Sequence, residues 1–143
     1  EIYDMHPDMR LEMVMSQDVA TALVTGAEKL KSSITLKNQA YILGGGEKNG
    51  WQLKGGDFLT NLFGVLSLPV PDQKYFTQDI NNYHLDGYDT KEAQQQFDYQ
   101  NHALSDYLAS MKKSFRVYKV PIILFRPFIM KRLVNMSPYY QKR

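Results

Sequence analysis

"DTKEAQQQFDYQNHALSDYLASMKKSF", residues 89–115, decides how the chain is read. Ala93, Phe97, Leu104, Leu108, Met111 and Phe115 recur at intervals of three, four and seven, so a helix over 90–115 places them in one narrow stripe. Asp89 stands three residues before Glu92, the spacing of a capping box, in which each side chain accepts from the other's backbone N–H.

Working outward, "DMRLEMVMSQDVATALVTGAEKLK" (8–31) predicts a second helix with Leu11, Met15, Val19, Ala22, Gly26 and Leu30 on one stripe and Asp8, after Pro7, as its cap. Ala22 and Gly26 would let a neighbouring element approach closely, although Gly26 costs about 1 kcal/mol relative to Ala in a helix interior. Next, Ile34, Leu36, Ala40 and Ile42 alternate with Thr35, Lys37, Gln39 and Tyr41, which is strand periodicity. The glycine-rich stretch Gly44 to Gly50 then leads into "WQL" (51–53), predicting a hairpin. "DFLTNLFGVLSLP" (57–69) reads as a short helix capped by Asp57, running through Leu66 and stopped before Pro69. Residues 69–88, with Pro69, Pro71, Asn81, Asn82 and Gly87, read as a loop long enough to carry function.

The expected fold is therefore α+β: a helix-rich single domain with a β-hairpin and a basic C-terminal arm. A chain of 143 residues can bury its own core. Hydrophobic content of 43% and charged content of 22% argue against disorder throughout. The absence of Cys excludes a disulfide scaffold, a thiolate metal site and a Cys nucleophile, and leaves the compartment undetermined. No run reaches 18 apolar residues and no stretch has the layout of a signal peptide, so no transmembrane helix is expected.

Net charge is +2, but it is unevenly spread. Residues 1–111 hold fifteen Asp/Glu against eight Lys/Arg, whereas residues 112–143 hold nine Lys/Arg and no acid. This divides the chain into an acidic, helix-rich globular part (1–111) and a basic, aromatic C-terminal segment (112–143), packed on or extending from the same domain. Asymmetry of this kind points to a polyanion, a membrane surface or an acidic partner. Ten Tyr add to that, since Tyr is enriched where proteins pack on one another.

The terminal segment reads "FRVYKVPIILFRPFIMKRLVNMSPYYQKR" (115–143). "FRVYKVPIILF" suggests a strand interrupted by Pro121, which cannot donate to a ladder. Pro127 suits the first turn of a short helix in which Phe128, Ile129, Leu133 and Met136 face one way, ended by Pro138.

Enzyme signatures fail on spacing. "GGGEKNG" (44–50) lacks the Lys-Ser/Thr that closes a phosphate loop, and a hairpin turn accounts for it. "DINNYHLDGYDTKE" (79–92) has Tyr83 and His84 where a calcium loop needs an oxygen ligand and Gly, so turn chemistry explains it. His6, His84 and His102 have no metal-ligand spacing between them. On a continuous helix, Asp98, His102 and Asp106 share a face at i, i+4 and i+8. Such a trio could relay protons, but solvated surface pairs are the commoner case and contribute little. No catalytic, cofactor-binding or metal residue is assigned.

The expected function is that of a non-catalytic structural or assembly subunit, docking on a protein partner or another copy through its C-terminal segment. Partner-binding residues are Arg116, Tyr118, Lys119, Phe125, Arg126, Phe128, Ile129, Lys131, Arg132, Leu133, Tyr139 and Tyr140. The alternatives are a nucleic-acid-binding module in which the same cations meet phosphates while Tyr and Phe stack on bases, peripheral contact with an anionic membrane surface, and a small enzyme centred on a carboxylate and His102. The apolar bulk of Ile122, Ile123, Leu124 and Phe125 exceeds what phosphate contact needs, which favours docking.

Overall fold

The computed structural model describes residues 2–32, 36, 39–82 and 86–139. It is α+β and helix-rich, with one antiparallel strand pair. In chain order the regular elements are β1 (Arg10–Glu12), α1 (Ser16–Ser32), β2 (Gln52–Lys54), α2 (Gly55–Val65), α3 (Lys91–Phe97), α4 (Leu104–Phe115), α5 (Lys119–Leu124) and α6 (Arg126–Asn135). Single 3-10 turns occupy Ile2–Asp4, Gln73–Tyr75 and Arg116–Tyr118. The chain resolves into two compact units, each gathered from separated stretches: Glu1–Arg10, Leu53–Asp86 and Leu108–Arg143 form one, Leu11–Gln52 and Gly87–Tyr107 the other.

In the first unit, α2 presents Leu59 and Phe63 one turn apart to Tyr3 and Phe76. Met5, Leu68, Val70, Tyr75 and Leu133 close this core. α2 ends at Val65, with Leu66 as its C-cap rather than its last residue, and it starts earlier than expected: Lys54 is the N-cap, and Asp57 sits inside the first turn, where a carboxylate favours the positive helix end. Gly55 N–H donates to Met9 O (2.9 Å) and Gly56 N–H to Pro7 O (2.7 Å), tying the helix start to the N-terminal stretch.

In the second unit, α1 and α3 pack around Ala22, Ala93, Phe97 and Tyr99, joined by Val14, Leu36, Tyr41 and Leu43. The close approach expected at Gly26 occurs: a Cβ there would lie 3.4 Å from the Phe97 ring. The rest of the predicted helix over 8–31 is corrected. Residues 10–12 are strand, and α1 begins only at Ser16, so Asp8 caps nothing and instead pairs with Lys54 at 3.1 Å. Leu30 is 46% exposed rather than on the buried face.

The expected two-stranded antiparallel pair is present, with 52–53 in one strand as predicted, but its other strand is not the one expected over 34–42. Residues 33–35 and 37–38 lie outside the described residues, and 39–46 form no strand. The partner of β2 is β1. Side chains capture the glycine-rich backbone instead: Tyr99 Oη accepts from Gly44 N–H (3.0 Å) and donates to Gly44 O (2.8 Å), while Glu12 Oε1 accepts from Gly46 N–H (3.1 Å). A phenol and a carboxylate thereby supply what a ladder strand would have supplied.

The single helix predicted over 90–115 is broken. Asp98 adopts a left-handed conformation (φ 45°), and its N–H closes α3 on Gln94 O. Gln94 Oε1 then accepts from both Tyr99 N–H (3.0 Å) and Gln100 N–H (2.9 Å), which sends Tyr99 into the core at 0% exposure. The capping box does not form: Thr90 is the N-cap, and Asp89 Oδ1 accepts from Lys91 N–H. The helix restarts at α4, where Asp106 Oδ2 accepts from Ala103 N–H at 3.0 Å.

The strand expected over 115–125 is a 3-10 turn followed by α5. Pro121 falls in the first turn of α5, where a missing N–H costs no intrahelical bond. Pro127 opens α6 as its position predicts.

Candidate functional site

The boundary between acidic and basic sequence, residue 111, falls inside α4. Beyond it the chain turns through 116–118 into α5 and, across Phe125, into α6. With neither a carboxylate nor an N-capping side chain in α5 and α6, these short helices gain little from their own termini. Their end is fastened to the first unit. Tyr3 Oη donates to Leu133 O (2.6 Å), Ser137 Oγ to Tyr75 O (2.5 Å) and Tyr139 Oη to Asp4 Oδ1 (2.9 Å).

The stretch before that anchor is open to solvent. Val117, Val120, Leu124 and Phe128 are each more than 70% exposed, and Tyr118, Phe125 and Ile123 are also exposed. Seven large apolar side chains exposed within twelve residues are more than scattered surface positions require. Phe125, Phe128, Ile129, Arg132 and Leu133 line one apolar hollow of about 360 Å³. All five are residues to which the sequence points, brought together by helical spacing.

Of the remaining predicted contacts, Arg116 and Tyr118 occupy the 3-10 turn, Lys119 opens α5, and Arg126 and Lys131 are exposed on α6. Tyr140 lies outside the described residues. Leu133 and Tyr139 serve a second purpose, since one packs on the core and the other bonds Asp4. Among the described residues, Lys112, Lys113, Arg116, Lys119, Arg126, Lys131 and Arg132 pair with no carboxylate.

The Asp98–His102–Asp106 face does not exist, because the three residues fall at a helix cap, in a connecting loop and in a new helix. His102 instead meets Asp18, which the sequence reading passed over: Nδ1 lies 2.5 Å from Oδ1, and the His102 backbone N–H reaches Oδ2 at 3.3 Å. Asp18 is fully buried, while the imidazole is 41% exposed. The signal was present, since Asp18 precedes Ala22 and Gly26 at four-residue intervals on the face assigned to the interior. Trp51 Nε1 donates to His102 O (2.8 Å), so the arrangement ties α1, the 98–103 loop and residue 51 together.

A polar cleft of about 600 Å³ opens between the 46–52 loop and α3, lined among others by Lys48, Gln52, Tyr88, Lys91 and Gln100. Its inner polar groups are engaged within the unit. Glu12 Oε2 accepts from Gln52 Nε2 (2.9 Å) and Tyr88 N–H (2.6 Å), and Gln100 Nε2 donates to Gly44 O (2.7 Å) and Thr90 Oγ1 (2.9 Å). Among the described residues no three His, Asp or Glu side chains converge as a metal-ligand set, and no helix is long and apolar enough to cross a membrane. Compared with known proteins, the chain matches no family model, no curated protein and no solved structure.

Proposed function

We propose that the chain is a non-catalytic assembly subunit that docks on a protein partner through residues 116–133. The observation that carries this reading is the exposure of Val117, Val120, Leu124 and Phe128 beside seven cations without carboxylate partners among the described residues. Magnitudes decide which feature leads. Burying each large apolar side chain on a partner contributes about 1.5–3 kcal/mol, whereas an exposed ion pair contributes about 0–1 kcal/mol. The partner is therefore an apolar groove edged by carboxylates, with the cations steering approach and fixing register. Phosphate contact would leave the valines and leucines in water, so the same cations serve nucleic acid less well.

The test compares Leu124→Glu/Phe128→Glu with Lys131→Gln/Arg132→Gln in the 143-residue chain, reading the mass of the complex it forms in its source cells. The apolar pair of changes should abolish the complex, and the cation pair should weaken it chiefly at low salt, where the charges are least screened. A low-salt shift of a labelled oligonucleotide that only the cation pair abolishes would assign the segment to nucleic acid instead. Retention on anionic vesicles would assign it to a membrane surface.

A further inference from the structure

Helix α1 turns small and polar side chains toward its own unit and leaves its largest apolar side chains in water, beside exposed Gln17, Glu28 and Lys31. The inward face is Asp18 (0% exposed), Ala22 (3%), Gly26 against Phe97, and Lys29, whose ammonium donates to Gln96 O. Roughly opposite, at helical spacing, run Ala20, Leu23, Val24, Ala27 and Leu30. Both alanines are exposed, and Leu23, Val24 and Leu30 are 66%, 60% and 46% exposed. A surface helix in a self-sufficient unit shows the reverse arrangement, with its apolar stripe facing the core.

We propose that this stripe is a self-association surface, on which α1 of one chain packs antiparallel against α1 of a second copy about a two-fold axis level with Thr25. The spacing argues for this occupant. A two-fold axis at Thr25 sets Ala20 opposite Leu30 and Leu23 opposite Ala27, so at four of the five stripe positions, all but Val24, a small side chain faces a large one. In-register parallel pairing would instead set leucine on leucine and alanine on alanine. A two-fold interface requires such a self-complementary patch. The alanines let the axes approach to the near end of the usual 8–10 Å separation, and antiparallel packing also opposes the two helix dipoles. One helix face covers less than the ~800 Å² per partner of a standard interface, so the pair should dissociate on dilution. This surface is separate from residues 116–133 and does not depend on the docking proposed for them.

The experiment is sedimentation velocity on the full chain from low to high micromolar concentration, with circular dichroism on every variant. The mass should rise from 16.6 kDa toward twice that value. Leu23→Glu and Leu30→Glu should stay folded and monomeric throughout, while Leu124→Glu should associate as the unaltered chain does. Because the chain has no cysteine, geometry can be read by mixing Leu23→Cys with Ala27→Cys chains and oxidising. Cross-links between the two variants should outnumber those within either one. The proposal is overturned by a chain that stays monomeric throughout, by association that survives Leu23→Glu or is lost in Leu124→Glu, or by cross-links of like with like. Unfolding by Leu23→Glu would place Leu23 in the core and overturn it as well.

Discussion

Asp18 and His102, 84 positions apart, meet at 2.5 Å with the carboxylate wholly buried and the imidazole half in water. The pair ties α1 to the loop that interrupts the helical stretch after residue 97. Removing the imidazole leaves the buried Asp18 carboxylate short of a bond, at a cost of about 1–3 kcal/mol, whereas removing Asp18 forfeits its bonds but leaves the half-exposed ring to water, at about 0.5–1.5 kcal/mol. His102→Ala should therefore lower stability more than Asp18→Ala in urea denaturation. The double variant should be no less stable than the worse single variant, because both remove the same interaction. Additive losses would show that the two side chains act independently.

Tyr3 supplies a pH-dependent test. Burial raises its phenol above the ordinary tyrosine value, and the neutral hydroxyl donates to Leu133 O. In the unfolded chain that hydroxyl ionises near pH 10 (approximately), whereas the folded chain holds its proton to higher pH. The unfolded state therefore binds fewer protons in that window, and stability falls as pH rises above the unfolded value. Tyr3→Phe should cost about 1 kcal/mol at neutral pH yet decline less steeply under alkaline conditions. Parallel curves for the two proteins above pH 10 (roughly) would exclude this role.

What the sequence revealed was local. The apolar spacing of α2, the proline opening α6 and the close approach at Gly26 each depend on a few neighbouring residues, and each could be read directly. The breaks could not. A period-based reading has no access to Gln94 gathering two backbone N–H groups, or to Asp98 taking a left-handed conformation, so α3 and α4 read as one helix. Strand β1 has three residues, too few to show alternation, and Tyr99 takes over the backbone of Gly44 from 55 positions away. In residues 116–133, charge and apolar bulk were legible, but the division between exposed Phe128 and core-facing Leu133 depends on where Tyr3 and Tyr75 lie.

Two glycines should respond in opposite directions. Gly46 has φ +80°, and an added Cβ would lie 2.8 Å from Gln100 Oε1, in the side chain that bonds Gly44. Gly46→Ala should cost about 1–2 kcal/mol from the left-handed backbone, with further loss if Gln100 shifts. Gly64 lies in α2, where an added Cβ would meet nothing within 4 Å, so Gly64→Ala should add about 0.5–1 kcal/mol by restricting the unfolded chain. Thermal unfolding of the two variants beside the parent checks both signs.

The sharpest contrast lies within α6. Phe128 is 78% exposed, whereas Leu133, little more than a turn later, packs on the Tyr3–Leu59–Phe63–Phe76 core. Phe128→Ser should change stability by no more than about 0.5 kcal/mol, as surface substitutions generally do. Leu133→Ala should cost about 1–2 kcal/mol, below the 2–5 of a fully buried leucine because the side chain is only partly covered. If docking is the task of this helix, their effects on the complex reverse: Phe128→Ser should remove binding from a fully stable protein. Leu133→Ala should lower the melting temperature while leaving much of the binding at temperatures where the chain stays folded. A Phe128→Ser protein that melts early would place that ring in the core, and the exposed surface on which docking depends would be gone.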